Sequence, residues 1–297
     1  MKTDYDTVQF SKIIDNARIE TQKRLLLLNE EEFFDNSLYE SAMYILKTPG
    51  KLLRPMLVFL GAIYTETEIN KVIDLAVSVE LLHTASLIHD DIIDNDKERR
   101  GIDTTHVKFG KERSILAGDA LIAKSIHNVS GYGKTMIEIM AKTAMKMTAG
   151  ESIDYKYQMK KAIPDLKTYL KIAELKSASL IATSVSIPGY YTNRKYSKII
   201  EEFGFNFGMA FQIKDDIEDY LKTGEGKKSS DKINNRPNVI SSIMKTGKNE
   251  KTAIEFAVHM NNEYFDRGFS LLDQKKAWIF EKYYNIIKLK NTINEII

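Results

Sequence analysis

In LIHDDIIDNDKERRG, residues 87–101, three aspartates fall at i, i+1 and i+4 on an apolar segment, and two arginines and a glycine follow at once. Like charges crowded this way destabilise one another unless a positive group sits among them. On a helix turning about 100° per residue, Asp90, Asp91 and Asp94 stand at about 0°, 100° and 40°, within a single third of the circumference. FQIKDDIEDY, residues 211–220, repeats the spacing with Asp215, Asp216 and Asp219. Both clusters are expected at the C-terminal ends of apolar helices, where the macrodipole is already negative. Hard divalent cations with oxygen ligands relieve such a site, and magnesium keeps waters and shares substrate phosphates. Neither cluster has the alternating oxygen ligands, central glycine and closing glutamate of an EF-hand. A solvated acidic helix end would explain either cluster alone. Two copies of one spacing, each behind a long apolar helix, favour metal binding.

Metal ions held by aspartates need an anion to bridge, and basic residues are set out to receive one. Arg99 and Arg100 follow the first cluster directly. GKLLRP, residues 50–55, sets Lys51 and Arg54 three apart, expected on one face at the start of a helix near its positive end. Lys176 lies inside the small, apolar stretch ELKSASL, and Lys227 and Lys228 lie in the loop GEGKKSSD after the second cluster. Each alone reads as a solvated charge; together they make room for more than one phosphorylated ligand.

The elements that must position these groups read as helices. In residues 71–94 apolar side chains recur at spacings of three and four, with no strand-like alternation. Similar patterns cover 5–28, 31–47, 52–64, 112–127, 134–160, 165–187 and 195–222, with more around 237–246, 249–270 and 273–295. Breakers fall between them at Pro49-Gly50, Gly101, Gly131 with Gly133, Pro164, Pro188-Gly189, and Gly224 with Gly226. No repeat, low-complexity tract or flexible linker interrupts the 297 residues, and no Val/Ile run ends in a Gly-rich loop as a parallel sheet would require. The expectation is one all-α domain, residues 1–297, of about ten or more helices, several apolar enough to be central.

Composition narrows the function. Lys and Arg number 43 against 41 Asp and Glu, which lacks the basic excess of a nucleic-acid binder. There is no cysteine, which removes disulfides, thiolate chemistry and Cys-ligated zinc. The N-terminal twenty residues are charged throughout and lack a signal-peptide apolar core. No apolar run approaches the roughly 18 to 20 residues of a membrane span. A soluble, cytoplasmic protein is expected.

In this order, GKLLRP, VELLHTASLIHDDIIDNDKERRG, LAGDALIA, AGESIDY, LKSASL and FGMAFQIKDDIEDY resemble the trans (all-E) polyprenyl diphosphate synthases, from about Gly50 to about Pro237. The resemblance implies the isoprenoid synthase type I fold: mostly antiparallel helices around a deep central cavity, usually in a homodimer. Two aspartate motifs would face each other across its mouth and hold three Mg2+ ions, with Mn2+ able to substitute, on an allylic diphosphate. Asp90, Asp91 and Asp94 would hold two of the ions and Asp215 the third, with Asp216 and Asp219 assisting through water. Arg99, Lys176, Lys227 and Gln212 match residues contacting the allylic diphosphate. Lys51, Arg54, His83 and Arg100 match the pocket for isopentenyl diphosphate, the second substrate. His83, seven residues before Asp90, lies only about 20° from its direction on the wheel.

Three positions depart from the family pattern. Glu151 follows Gly150 where glutamine is usual, Ser177 replaces threonine but keeps the hydroxyl, and Arg236 stands at a lysine position. Arg and Lys differ in geometry. Family floors that stop chain growth lie just before the first motif, where Ala85 and Ser86 are both small, which favours products beyond C15, of C20 or more, with medium and long chains of C25 to C40 preferred. The role of Ala85 rests on the resemblance, since an ideal wheel puts Ser86 nearer the aspartate stripe. A floor from Leu81, Leu82 or the Met-rich residues 142–150 would stop growth at C20 instead. A terpene cyclase carries a different second metal motif, and an HD-type phosphohydrolase would need a second His-Asp pair beyond His89-Asp90. A non-catalytic subunit of a heteromeric synthase typically loses an aspartate motif, and both are present here.

Overall fold

The structure is a computed structural model that describes residues 7–48, 50–192, 194–222 and 238–286. Among the described residues it is all-α apart from one two-stranded hairpin. The chain forms two compact units, residues 1–142 with 184–197, and residues 143–183 with 198–297. Each is taken in turn.

The first unit is built around α4 (Ile73–Ile93), which follows a 3-10 turn at Ile69–Val72. Leu75, Ala76, Val79, Leu81, Ala85 and Ile88 are wholly buried on it. A helix apolar on nearly every side belongs in a core. It packs against α6 (Lys111–Ser130), where the buried Ser125 hydroxyl donates to Ser78 O at 2.7 Å. Three further helices pack around this pair: α1 (Thr7–Leu26), α2 (Asn36–Leu46) and α3 (Leu53–Tyr64). Asp35 caps α2 by accepting Leu38 N–H at 2.8 Å. The Ile69–Ile93 segment is long and apolar enough to cross a membrane, which corrects the sequence expectation. However, 72% of its apolar window is buried inside the fold, as a core helix requires.

α4 ends in a Schellman motif. Asn95 is left-handed at φ 55°, Asn95 N–H donates to Ile92 O at 3.3 Å, and Asp96 N–H to Asp91 O at 3.0 Å. The chain then turns back through β1 (Glu98–Arg99) and β2 (Ile102–Asp103), antiparallel with Arg99 opposite Ile102. The two-residue turn has φ 56° at Arg100 and 77° at Gly101, the paired positive values of a type I′ hairpin. A short α5 (Thr105–Phe109) leads into α6.

In the second unit, α8 (Leu166–Ala173) is capped by Asp165, which accepts Thr168 N–H at 2.7 Å. A π-helical turn, Glu174–Ala178, joins it to α9 (Ser179–Thr192). Residues of this stretch pack with α10 (Arg194–Lys222), α11 (Val239–Met244) and α12 (Glu250–Ser270) around Tyr169, Met209, Ile213, Ile217, Ile240 and Ala257. α7 (Lys134–Met159) and α13 (Trp278–Ile286) complete the described elements.

Two further sequence expectations change. Pro188-Gly189 does not end a helix, because α9 runs through it to Thr192. Val185 and Ile187 are wholly buried there, and tertiary packing overrides proline's preference to break a helix. Lys51 is not on a face of α3 with Arg54, because the helix begins at Leu53 after a left-handed Leu52 at φ 50°.

Within the first unit, which includes residues 184–197, Gly61 on α3 lies against the backbone of Val185, where an added Cβ would come 1.9 Å from the carbonyl oxygen. Gly61→Ala should therefore destabilise the protein by about 2 kcal/mol or more. Gly131→Ala, with nothing within 4 Å of the new carbon, should be near neutral. Thermal melts of both variants decide the matter.

Candidate active site

At the end of α4 the three aspartates are not equivalent. Asp91 is 0% exposed, whereas Asp90 and Asp94 are half-buried. The hairpin returns Arg99 to the buried carboxylate: Nε donates to Asp91 Oδ1 at 2.7 Å, and Nη2 lies 2.6 Å from the same oxygen. Burial pushes the Asp91 carboxyl above its usual range, and the Arg99 guanidinium opposes that shift. Asp91 Oδ2 is buried with no hydrogen-bond partner.

The same hairpin points Arg100 elsewhere. Its Nη1 donates to Thr48 O at 2.8 Å, and its guanidinium lies over Gly50, where a Cβ would approach Nη2 to 2.5 Å. Arg54 on α3 meets His83 on α4, Nη1 to Nε2 at 2.9 Å. Burial first, then Arg54, Arg100 and Arg99, hold His83 well below the ordinary imidazole range. The ring is therefore neutral, and Nε2 accepts from Arg54. Lys51, the fourth residue expected here, is exposed.

Sequence reasoning missed Glu80. It lies one turn before His83 on α4, is 4% exposed, and is pushed up to about 7 by burial, against the pull of Arg54 and Arg100. The signal was a lone acid in the apolar run LAVSVELL. Ala85 is 0% exposed and Ser86 half-buried, with the Ser86 hydroxyl donating to His83 O at 2.8 Å. Of the two small residues, Ser86 is the one with accessible surface.

The second unit holds the other cluster. Asp215 is half-buried, Asp219 is exposed, and Asp216 is buried. Asp216 turns inward, accepting Gln212 Nε2–H at 2.8 Å and Val239 N–H, at the start of α11, at 2.9 Å. Ser177 in the π turn donates to Gln212 Oε1, so hydroxyl, amide and carboxylate form one chain. Tyr169 lies beside it, its hydroxyl pushed well above the usual range by burial and then by Asp216. Lys176 pairs with Glu151 and Asp154 of α7, at 3.0 Å to Asp154 Oδ2. Asp154 was also missed, although AGESIDY places it three residues after Glu151 on one helix face. Lys227 and Arg236 lie outside the described residues.

Among the described residues no three His, Asp or Glu side chains form a group able to hold a metal ion by themselves. Magnesium does not require one, since one or two carboxylates, waters and substrate phosphates complete its shell. The donors fit that ion: they are hard carboxylate oxygens, and Asp91 Oδ2 is buried with a lone pair to offer.

Glu80 gives a measurable pH dependence. An unfolded glutamate releases its proton near 4.5 and Glu80 holds its own up to about 7, so folding takes up a proton between these values. The stability linked to Glu80 is full below the lower value and falls as pH rises through the higher one. The shift is worth roughly 3 kcal/mol at most. Glu80→Gln should match wild type in thermal melts near pH 4.5 and exceed it near pH 8. A difference between the two proteins that is constant with pH would contradict the assignment.

Comparison with known proteins agrees with this chemistry. The polyprenyl synthetase family pattern matches residues 35–264. A short chain isoprenyl diphosphate synthase of Methanocaldococcus jannaschii is 33% identical over 65% of this chain and 60% of its own length. A geranylfarnesyl diphosphate synthase of Methanosarcina mazei is 36% identical over 66% of each chain. The aligned stretch thus spans slightly under two thirds of either relative. The solved geranylgeranyl pyrophosphate synthetase of Geoglobus acetivorans superimposes with a TM-score of 0.79, at 25% identity, over 92% of this chain and 98% of that one. The fold is therefore the isoprenoid synthase fold, and with well over half of its residues matched the chain belongs to the polyprenyl synthetase family.

Proposed function

We propose that the whole chain acts as one prenyl diphosphate synthase domain, joining isopentenyl diphosphate head-to-tail to an allylic diphosphate and releasing diphosphate. The observation that carries this reading is the buried Asp91 held by Arg99 beside the Arg54–His83 pair. One helix end thus presents carboxylates for metal ions and, a turn or two earlier, guanidinium groups for a second anion.

Asp90, Asp91, Asp94 and Asp215 would carry Mg2+, with Asp216 and Asp219 behind them, and Mg2+ when bound would neutralise charge on the departing diphosphate. Arg99, Lys176, Gln212 and Lys227 would orient that group and stabilise its growing charge in the transition state. Asp216, already bonded to Gln212 and Val239 N–H, acts here by fixing Gln212. Arg54, Arg100 and Lys51 would bind isopentenyl diphosphate, and neutral His83 would hold the Arg54 guanidinium without adding charge. The allylic carbon then alkylates the terminal double bond of isopentenyl diphosphate, and a proton leaves to the released diphosphate. No protein nucleophile is needed. Apolar walls around the reacting carbons would keep water from them.

Small side chains at Ala85 and Ser86 support a product of C20 or longer. A geranylgeranyl diphosphate synthase stopping at C20 is the narrower form of the same reading. The intact aspartate motifs favour a catalytic chain over a non-catalytic partner subunit. The reading includes a cytoplasmic homodimer with no nucleic-acid partner, which light scattering and nuclease-treated preparations test.

Purified protein with isopentenyl diphosphate, an allylic primer and Mg2+ should give prenyl products on chromatography. Folded protein that makes none from any primer would overturn the proposal. Asp90→Ala and Asp215→Ala should each lower turnover by orders of magnitude with unchanged circular dichroism. Ser86→Phe should shorten the product ladder more than Ala85→Phe, whose site is sealed. Equal ladders from both variants and wild type would move the floor elsewhere on the fold.

A further inference from the structure

Among the described residues, Lys176 meets two acids, Glu151 and Asp154. Its Nζ is 3.0 Å from Asp154 Oδ2 and also ion-pairs with Glu151. Both acids come from α7, three residues apart and so on one face. Gly150 beside them brings α7 onto the π turn so closely that a Cβ would stand 2.6 Å from Lys176 N. The three side chains are largely withdrawn from water, at 14% exposed for Glu151, 12% for Asp154 and 26% for Lys176. Glu151 Oε1 and Asp154 Oδ1 are buried with no hydrogen-bond partner, and the Glu151 contact to Lys176 lacks hydrogen-bond geometry. Carboxylate oxygens in that state are costly until a cation or donor reaches them.

The charge balance gives this arrangement a direction. With Asp154 alone the lysine would be neutralised; Glu151 tips the group to a net negative charge. On the reading given above, this is the lysine that meets the allylic diphosphate. We infer that Glu151, together with Asp154, makes diphosphate binding conditional on divalent cations, by repelling the bare anion and attracting its metal complex. Both acids are positioning residues that act through Lys176. Neither touches the reacting carbons.

Calorimetric titration of the full-length protein with inorganic pyrophosphate, with Mg2+ in excess and with Mg2+ chelated, tests the inference. Glu151→Gln should bind the metal-free anion about tenfold tighter than wild type, the scale of one unit charge at this range. The affinity gained on adding Mg2+ should shrink by the same factor. Glu151→Asp keeps the charge and should retain the wild-type metal dependence. Asp154→Asn should shift in the same direction as Glu151→Gln and serves if that variant does not fold. Unchanged or weaker metal-free binding in a folded neutral variant overturns the inference. Wild-type turnover with isopentenyl diphosphate is measured alongside. Metal-free binding that does not tighten in the folded neutral variants, with normal wild-type turnover, sinks only this inference, whereas absent turnover sinks the synthase reading beneath it.

Discussion

Much of the first unit follows from one electrostatic demand: a carboxylate with no exposure at the negative end of an apolar helix. Asp91 could not remain ionised there alone, because an unpaired buried charge costs several kcal/mol. The ten residues after it are arranged to deliver Arg99. The Schellman end reverses the chain, the type I′ turn sets the hairpin twist, and the guanidinium reaches one carboxylate oxygen through two nitrogens. The turn that seats Arg99 also sends Arg100 over Gly50 towards Thr48 O. Two cations one residue apart are thus assigned to different neighbours by backbone geometry alone.

The second cluster repeats the spacing of the first without repeating its physics. Asp216, the counterpart of Asp91, is also buried, but a neutral amide and a backbone N–H satisfy it. Lys176, nearby, pairs with Glu151 and Asp154. Identical sequence motifs therefore bury their middle aspartates against different groups, with a guanidinium on Asp91 and, among others, an amide and a backbone N–H on Asp216. A functional role assigned to each by position needs this difference taken into account.

The helices were legible because their periodicity is strong and their breakers few, and α4 was readable as central from its lack of a polar face. The acidic helix ends and the His83 direction followed from turning angles. What escaped the sequence was set by tertiary contact. The hairpin at residues 98–103 is too short for a strand signal and depends on two positive φ values, one of them at an arginine. Helix continuation through Pro188 depends on the burial of Val185 and Ile187. Lys51 left its expected face because Leu52 is left-handed, which no propensity for leucine suggests. Glu80 and Asp154 were visible as letters, yet their importance lies in which cations the fold brings near them.

The π-helical turn at Glu174–Ala178 has a consequence for how this region tolerates change. A π turn holds one more residue than an α turn, so it offsets by about 100° the angular phase of everything beyond it. Deleting one residue there would straighten the ladder and leave wholly buried Leu180 and Ile181 in their present sockets, because the lost residue and the lost offset cancel. The bulge works as a phase adjuster, letting Lys176 and Ser177 hold one orientation while the downstream helix keeps another. Loss of one residue should therefore spare the packing of the downstream helix and act on the turn itself, where Lys176 and Ser177 would lose their present orientation.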